Sequence, residues 1–597
     1  MNISKSLFVD YCISPKLAWW KRNNRDTYNF ICGLNDEELA ESLIELGQNI
    51  EDRVWEYFTK KYGVSRTDVF WELPFEEEEQ NEQRDEELLQ ESYREKKARN
   101  LEQTLEAIRR KEPLIYQAAF EYNGLYARVD YLRLNESGNY DIIEVKAKSS
   151  VRKDKTFEWC KNKGVWELET NFLADISFQN YVAKKVFEQE WLWELEDTYF
   201  AYLNYRYKLW ESLNVLDLIV LDKIENWPKN ITLESEENSK IVTIDDTLLW
   251  NAFIEAKVWE IQEDLILSEV DFNKKFPFSG SKYIEYFGEE RPFGTIYGRG
   301  ITKANAVKAL HYEGKRDISD LSPEDISLFE KKGGGGSAYE FIQNYLRCKR
   351  ENTPLIDQDS IREIYSGLNF PLCFYDYETV SVPVPYIPWT SPYQQVIVQY
   401  SLHKVYEDGN IEHCSGIYTG SGENSIEEIE IAKNTRRTEL ENEKIISWTH
   451  QFFLETFLGD IWEHLKESSF IVWYSPFENS RNKEAWEMYP ELREAFEIIN
   501  ENTFDLMNIT KKWYFFDTAF QGSNSIKYIL PVMVPEMTYS GMVVPNGGVA
   551  MKLLDQIVSG RLTDASKKRE ALKNLLLYCG QDSLAMYKIY EKFGKLI

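Results

Sequence analysis

The chain has 597 residues, 43% hydrophobic and 15% aromatic, which is ample for packed cores in more than one domain. Its seven cysteines are scattered without a Cys-x-x-Cys, its five histidines all fall from His311 onward without zinc spacing, and the first apolar stretch is short and broken by Asp10; disulfide, zinc, signal-peptide and membrane-spanning classes are therefore set aside in favour of a reducing, cytoplasmic setting. With 70 Lys and Arg against 100 Asp and Glu the net charge is −30, so a nucleic-acid partner would need a confined basic groove or help from a second protein.

In chain order, residues 1–226 read as an α/β module. Glu76-Glu77-Glu78-Glu79 and Asp85-Glu86-Glu87 open a charged helical stretch reaching about Arg110, a solvated helix or flexible arm. Ala127–Leu132 alternates as a strand, Asn135–Asn139 is a turn, and Tyr140–Lys146 is the returning strand of a hairpin. Thr198–Leu209 and Leu216–Leu221 read as late strands. Residues 227–359 read as a mainly helical connector. Within it Gly298-Arg299-Gly300-Ile301-Thr302-Lys303 loosely resembles a helix-hairpin-helix backbone clamp, with an ordinary connecting helix as the plainer reading, and Lys331–Ser337 has the composition of a flexible linker. Residues 360–597 read as a mixed sheet flanked by helices.

Two constellations carry chemistry. Glu144 and Lys146 share a strand face, and the hairpin can bring Asp130 beside them. Two carboxylates hold a metal, and a neighbouring ammonium steadies phosphate charge or acidifies a water. The plain alternative is a surface hairpin with a Glu–Lys pair. In the second half, Phe370–Tyr375 is an apolar run that leads into Asp376 and Glu378, two apart and so on one strand face. Tyr578 and Asp582 are four apart in a helical pattern and share a face too. Crowded carboxylates repel unless a cation sits between them, and Mg2+ or Mn2+ suits such oxygen ligands.

Asp130, Glu144 and Lys146 resemble the PD-(D/E)xK nucleases of the RecB-like branch. Ile176–Tyr181, with Gln179, resembles that branch's glutamine helix, and Leu46–Glu51 its early helix that can supply a further acidic ligand. Asp376-x-Glu378 followed by Tyr578-x-x-x-Asp582 resembles the DEDDy exonucleases, an RNase H-like branch in which the helix tyrosine orients or helps activate the attacking water. The third acidic ligand of that pattern is usually an Asp; here Glu478, in Trp473–Glu478, stands in its place, with Asp505 as a fallback ligand or a holder of local structure.

End to end, the order of motifs resembles the bacterial proteins carrying the domain of unknown function 2779. The resemblance runs through Ile361-Arg362-Glu363, the Asp376/Glu378 strand, Pro392–Gln395, Gln399–His403, Ser525-Ile526-Lys527 and Asn546-Gly547-Gly548. It implies a restriction-endonuclease-like module, a helical middle and an RNase H-like module: a metal-dependent nuclease acting on nucleic acid, DNA before RNA, in defence or repair. Tyr11–Trp20 resembles the segment that gives some RecB-like relatives the first cysteine of an iron–sulfur cluster. Cys12 lacks three partners for one, so no cluster is expected. The rival expectation is a catalytically silent binding or scaffold protein that kept both folds.

Overall fold

A computed structural model of the chain describes residues 2–13, 15–32, 37–69, 86–149, 166–210, 212–223, 230–235, 238–243, 247–265, 293–301, 304–331, 337–420, 443–446, 449–539 and 541–597. The acidic run 76–79, Cys160, Thr302, Lys303 and the glycines of the linker lie outside the described residues. The chain is mixed α/β and forms two compact units. The first comprises Met1–Tyr207, Ser212–Pro277 and Ser281–Glu289; the second Lys208–Glu211, Phe278–Gly280 and Glu290–Ile597. The middle stretch 227–359 is thus divided between the two. No helix among the described residues is long and apolar enough to cross a membrane.

The strands of the first unit's main sheet are β1 (Ile3–Ser4), β2 (Thr67–Asp68), β3 (Leu114–Tyr122), β4 (Leu125–Leu134), β5 (Tyr140–Ser149), β6 (Leu195–Leu203) and β7 (Ile219–Lys223). They run in the order β2-β3-β4-β5-β6-β7, with β1 pairing β4. β3, β4 and β5 are an antiparallel meander. Asn123 and Gly124 turn β3 into β4 at φ 50° and 80°, the left-handed pair that a two-residue hairpin demands. At the next turn the Asn135 carboxamide accepts the Ser137 and Asn139 amides, so the expected hairpin closes on its own side chain. β6 lies parallel to β5, and helix Trp166–Gln189 falls between them in the chain. That helix buries Phe178, Val182 and Ala183 in the core, and Phe8 of helix Lys5–Ile13 stacks on Phe178 at 4.7 Å. Helix Glu37–Tyr62 buries Ile50, Val54 and Phe58, a stripe one helical turn apart.

Two expected strands shift. The first ends at Leu203 rather than Leu209, and the second begins at Ile219, because Val215–Leu218 coils into a helical turn capped by the Asn214 side chain on the Leu216 amide. The middle stretch also carries an antiparallel hairpin, β8 (Asn230–Ser235) and β9 (Asn238–Thr243), before helix Thr247–Asp264. Gly300 sits at φ 89°, and a Cβ there would meet the Phe341 ring at 2.7 Å, so packing accounts for this glycine.

In the second unit β10 (Leu355–Ile356) pairs β17 (Phe515–Phe516) as a separate ribbon. The main sheet holds β11 (Leu372–Ser381), β12 (Gln395–Val405), β13 (Ile411–Tyr418), β14 (Glu443–Ile446), β15 (Ser469–Val472) and β16 (Thr503–Asp505), ordered β14-β13-β12-β11-β15-β16. It is mixed: β11 is antiparallel to β12 and parallel to β15. Alternation along β11 sorts its side chains. Tyr375 packs on Phe457 and Phe470, and Tyr377 on Phe457. On the opposite face Phe374 meets Tyr587 and Tyr590 of the long helix Ala565–Gly594. Asp376 and Glu378 continue that helix-facing row, where apolar packing gives way to charge.

Candidate active site

β11 and helix Ala565–Gly594 build the acidic centre of the second unit. Asp376, Glu378 and Asp582 each offer a carboxylate oxygen, and these oxygens lie within 4.8 Å of one another; among the described residues they are the one such trio. The helix is seated on the sheet at that level. Ser583, next to Asp582, bonds Ser401 at 2.7 Å and His403 at 2.9 Å, and the Gln399 carboxamide donates to the Leu575 carbonyl. Ser401 and Gln399 are the β12 residues opposite Asp376 and Glu378, so one polar row on β12 fixes the helix where the acids meet. The register of β11 slips just after Glu378, a bulge of the kind that re-aims a side chain.

The electrostatics are those of negative charge held out of water. Burial first, then Asp582, Glu378 and Glu478, hold the Asp376 carboxyl well above its ordinary range. Burial and Asp582 push Glu378 up to about 8. Burial raises Asp582 to about 6, against hydrogen bonds from Tyr539 and Tyr578 and the nearby Lys527 charge. Tyr578 is buried, reaches Asp582 one helical turn on, and has its ring 6.2 Å from that of Tyr539. Asn546 caps helix Gly547–Val558, whose first residue lies beside Glu378.

Glu478 sits in the first turn of helix Ser475–Met488, only 2% exposed. Its Oε2 is buried without a hydrogen-bond partner, and burial with the neighbouring Asp505 pushes its carboxyl up to about 8. It acts electrostatically on Asp376 but lies outside the close trio. Asp505 is engaged elsewhere. Its Oδ1 accepts the amides of Tyr474, at 3.0 Å, and Met507, at 3.1 Å. It holds the turn, the second of the two roles its sequence context allowed. The close all-oxygen trio could hold a metal ion.

The first unit gathers its own cluster. Lys146 Nζ donates to Glu144 Oε1 and to Asp175 Oδ2, both at 2.6 Å. Gln179 donates to Glu144 at 2.8 Å and to Asp175 at 2.7 Å. Lys5 adds a second ammonium, 3.4 Å from Glu144 and 3.3 Å from Asp175. Asp130 accepts the Val145 amide at 2.7 Å. Glu51, on helix Glu37–Tyr62, accepts the Tyr116 hydroxyl at 2.5 Å. Burial, Asp130 and Asp175 push Glu144 up to about 7 against the pull of both lysines. Burial would raise Asp175 too, but Lys5, Lys146 and the Gln179 amide hold it below the usual carboxylate range. Of the four residues anticipated here, Glu144, Lys146 and Gln179 therefore meet directly, while Asp130 bonds the backbone between Glu144 and Lys146 and acts on both through its charge. Cys12 lies half-buried against this unit's core, and burial pushes its thiol up to about 12.

Sequence reasoning missed Lys5, Asp175 and Tyr539, and gave Lys527 no role. Asp175 carried a usable signal, since it precedes Gln179 by four residues on one helix and so shares its face. Lys5 and Tyr539 come from distant segments and carried none.

Residues 373–525 match the model of the family described as "Domain of unknown function (DUF2779)". This segment belongs to that family. The DUF2779 segment contains Asp376, Glu378, Glu478 and Asp505, while Tyr578 and Asp582 lie beyond the matched residues. No curated protein and no solved structure matches the chain.

Proposed function

We propose that the chain is a divalent-metal-dependent nuclease that hydrolyses phosphodiester bonds, with its principal centre where the DUF2779 segment meets helix Ala565–Gly594. The observation that carries this reading is the trio Asp376, Glu378 and Asp582, crowded around one point, Glu378 buried and the two aspartates half-buried, with Tyr578 on the same helix face as Asp582. The order of these residues resembles the DEDDy 3′–5′ exonucleases. Asp376, Glu378 and Asp582 would hold Mg2+ or Mn2+, with Glu478 as the nearest further carboxylate. A bound cation of this kind supplies charge stabilisation for a phosphoryl oxygen and a more acidic water. The chain's own groups do the rest. Tyr578 orients the attacking water with its hydroxyl. Tyr539 fixes the free rotation of Asp582, and Lys527 brings a positive charge to the acidic side of the cleft. DNA in the cytoplasm is the substrate and setting this reading favours.

The cluster of Asp130, Glu144, Lys146 and Gln179 resembles a RecB-like centre and is proposed as a second nuclease site. One observation favours a silent binding role for this cluster instead: Lys5 and Lys146 already pair with its acids. The test is cleavage of an end-labelled panel of single-stranded and duplex DNA and RNA by the full chain, in Mg2+, in Mn2+ and in chelator. Cleavage that requires the metal supports the reading. Intact substrates throughout the panel overturn it.

A further inference from the structure

Two tryptophans stand together in solvent. Trp210 is 64% exposed and Trp389 43% exposed, with ring centroids 4.3 Å apart at 57°. Both belong to the second unit. A single exposed indole needs no explanation, but this pair is built. Trp389 has φ 69°, in the left-handed region that bulky residues avoid, and strain of that kind persists where surrounding contacts impose it. The contacts are present. The Trp389 amide donates to the Leu209 carbonyl at 2.6 Å and the Leu209 amide to the Thr390 carbonyl at 3.0 Å. Thr390 in turn donates its hydroxyl to the carbonyl of Ile387, a residue of the apolar core. Leu209 is buried while Lys208 and Trp210 on either side of it are exposed.

The chain leads from the strand of the acidic centre to the loop that carries Trp389. The loop carrying Trp389 leaves β11 just beyond Glu378, and the Tyr393 amide closes its base on the Val382 carbonyl at 2.7 Å. Gln395, which starts β12, accepts from Arg481 on the helix whose first turn holds Glu478. Charge near the pair is mixed: exposed Lys208 bonds Gln394, but Glu484 and Glu487 lie within its electrostatic reach. A ligand here would gain little from phosphate contacts and much from ring faces.

We propose that Trp210 and Trp389 form a stacking platform for unpaired nucleobases, so that the substrate of the Asp376 centre is a single strand; this deepens, and rests on, the nuclease reading above. Every base has a π-face, and base–aromatic stacking is the sequence-tolerant way to grip a strand. It also suits a chain whose net charge is −30, for which a grip through phosphates is unfavourable.

The test is fluorescence anisotropy of a labelled short oligothymidylate with the full chain carrying Asp376→Ala, which prevents its consumption at that centre. Trp389→Ala and Trp210→Ala should each weaken binding by about tenfold. Trp389→Tyr should recover most of it, and binding should depend only weakly on salt. In chains with Asp376 intact, Trp389→Ala should raise KM for a single strand and leave kcat unchanged. Unchanged affinity in both alanine variants overturns the platform, as does equal binding of a blunt duplex or no binding of any strand; a strand that binds through the tryptophans but is never cut leaves the platform and overturns the nuclease reading instead. Circular dichroism of each variant guards against a folding defect, and the Tyr variant decides the matter if Trp389→Ala fails to fold.

Discussion

Tyr539 donates its phenolic hydrogen to Asp582, although the two residues belong to different segments, Tyr539 preceding helix Gly547–Val558 and Asp582 lying on helix Ala565–Gly594. That bond works against burial and holds the Asp582 carboxyl nearer its ordinary range. Tyr539→Phe should therefore raise the pKa of Asp582 above about 6. Near neutral pH this variant should bind Mn2+ several-fold more weakly by titration calorimetry, with the deficit shrinking as pH rises. A deficit that persists undiminished at alkaline pH would assign Tyr539 a purely steric role.

The metal-free chain should lose stability as pH rises. Glu378 and Glu478 sit at about 8 in the folded chain, well above the ordinary glutamate value of about 4.3. A carboxyl raised on folding binds its proton more tightly in the native state, so its contribution is full at low pH and is lost as pH climbs through the folded value. Burial lowers His403 to about 3 and His450 to about 4, and these act in the opposite sense in more acidic solution. The clean window is therefore from about pH 6.5 to 8. Calorimetric melting of the metal-free protein should move to lower temperature across that window, and Mg2+ should reverse the shift. A flat profile would mean that the acids are not forced together.

Much of the acidic centre was legible because it rests on two periodicities. A strand period of two put Asp376 and Glu378 on one face, and a helical turn put Tyr578 beside Asp582. The hairpin that carries Glu144 and Lys146 announced itself through Asn135 and Gly138. What could not be read is what distant segments add. Lys5 enters the first cluster from the start of its unit's sequence, far from Asp130 along the chain, and Tyr539 from a stretch with no periodic signal. The helical turn Val215–Leu218 escaped notice because its apolar residues fit a strand as well as a helix, and only the Asn214 cap decides between them.

Above about pH 8, where its carboxyl has ionised, Glu478→Gln should stabilise the metal-free protein. The native carboxylate is buried with one oxygen unpartnered, and the amide is nearly isosteric and uncharged. Chemical denaturation should show a midpoint at or above wild type, while nuclease turnover falls. A marked loss of stability would show that the charge of Glu478 is satisfied by a partner in the native chain.

Lys146→Ala should disable the cluster of the first unit and also weaken its fold. Lys146 lies 2.6 Å from both Glu144 and Asp175, and removing one member of a buried ion pair typically costs about 3 kcal/mol or more. Lys5→Ala should cost less, because Lys5 is more exposed and its contacts are longer. Urea unfolding of the two variants measures the difference. Equal, negligible effects would mean that the cluster is loosely held.

The proposed nuclease centre is formed by Asp376, Glu378 and Asp582. The most direct measurement is Mg2+-dependent degradation of an end-labelled single strand in a Lys146→Ala background, with and without Asp376→Ala. The Lys146→Ala chain should still shorten the strand, and adding Asp376→Ala should reduce the rate by at least about a thousandfold while the far-ultraviolet spectrum stays unchanged. Undiminished degradation by the doubly substituted chain would contradict the assignment.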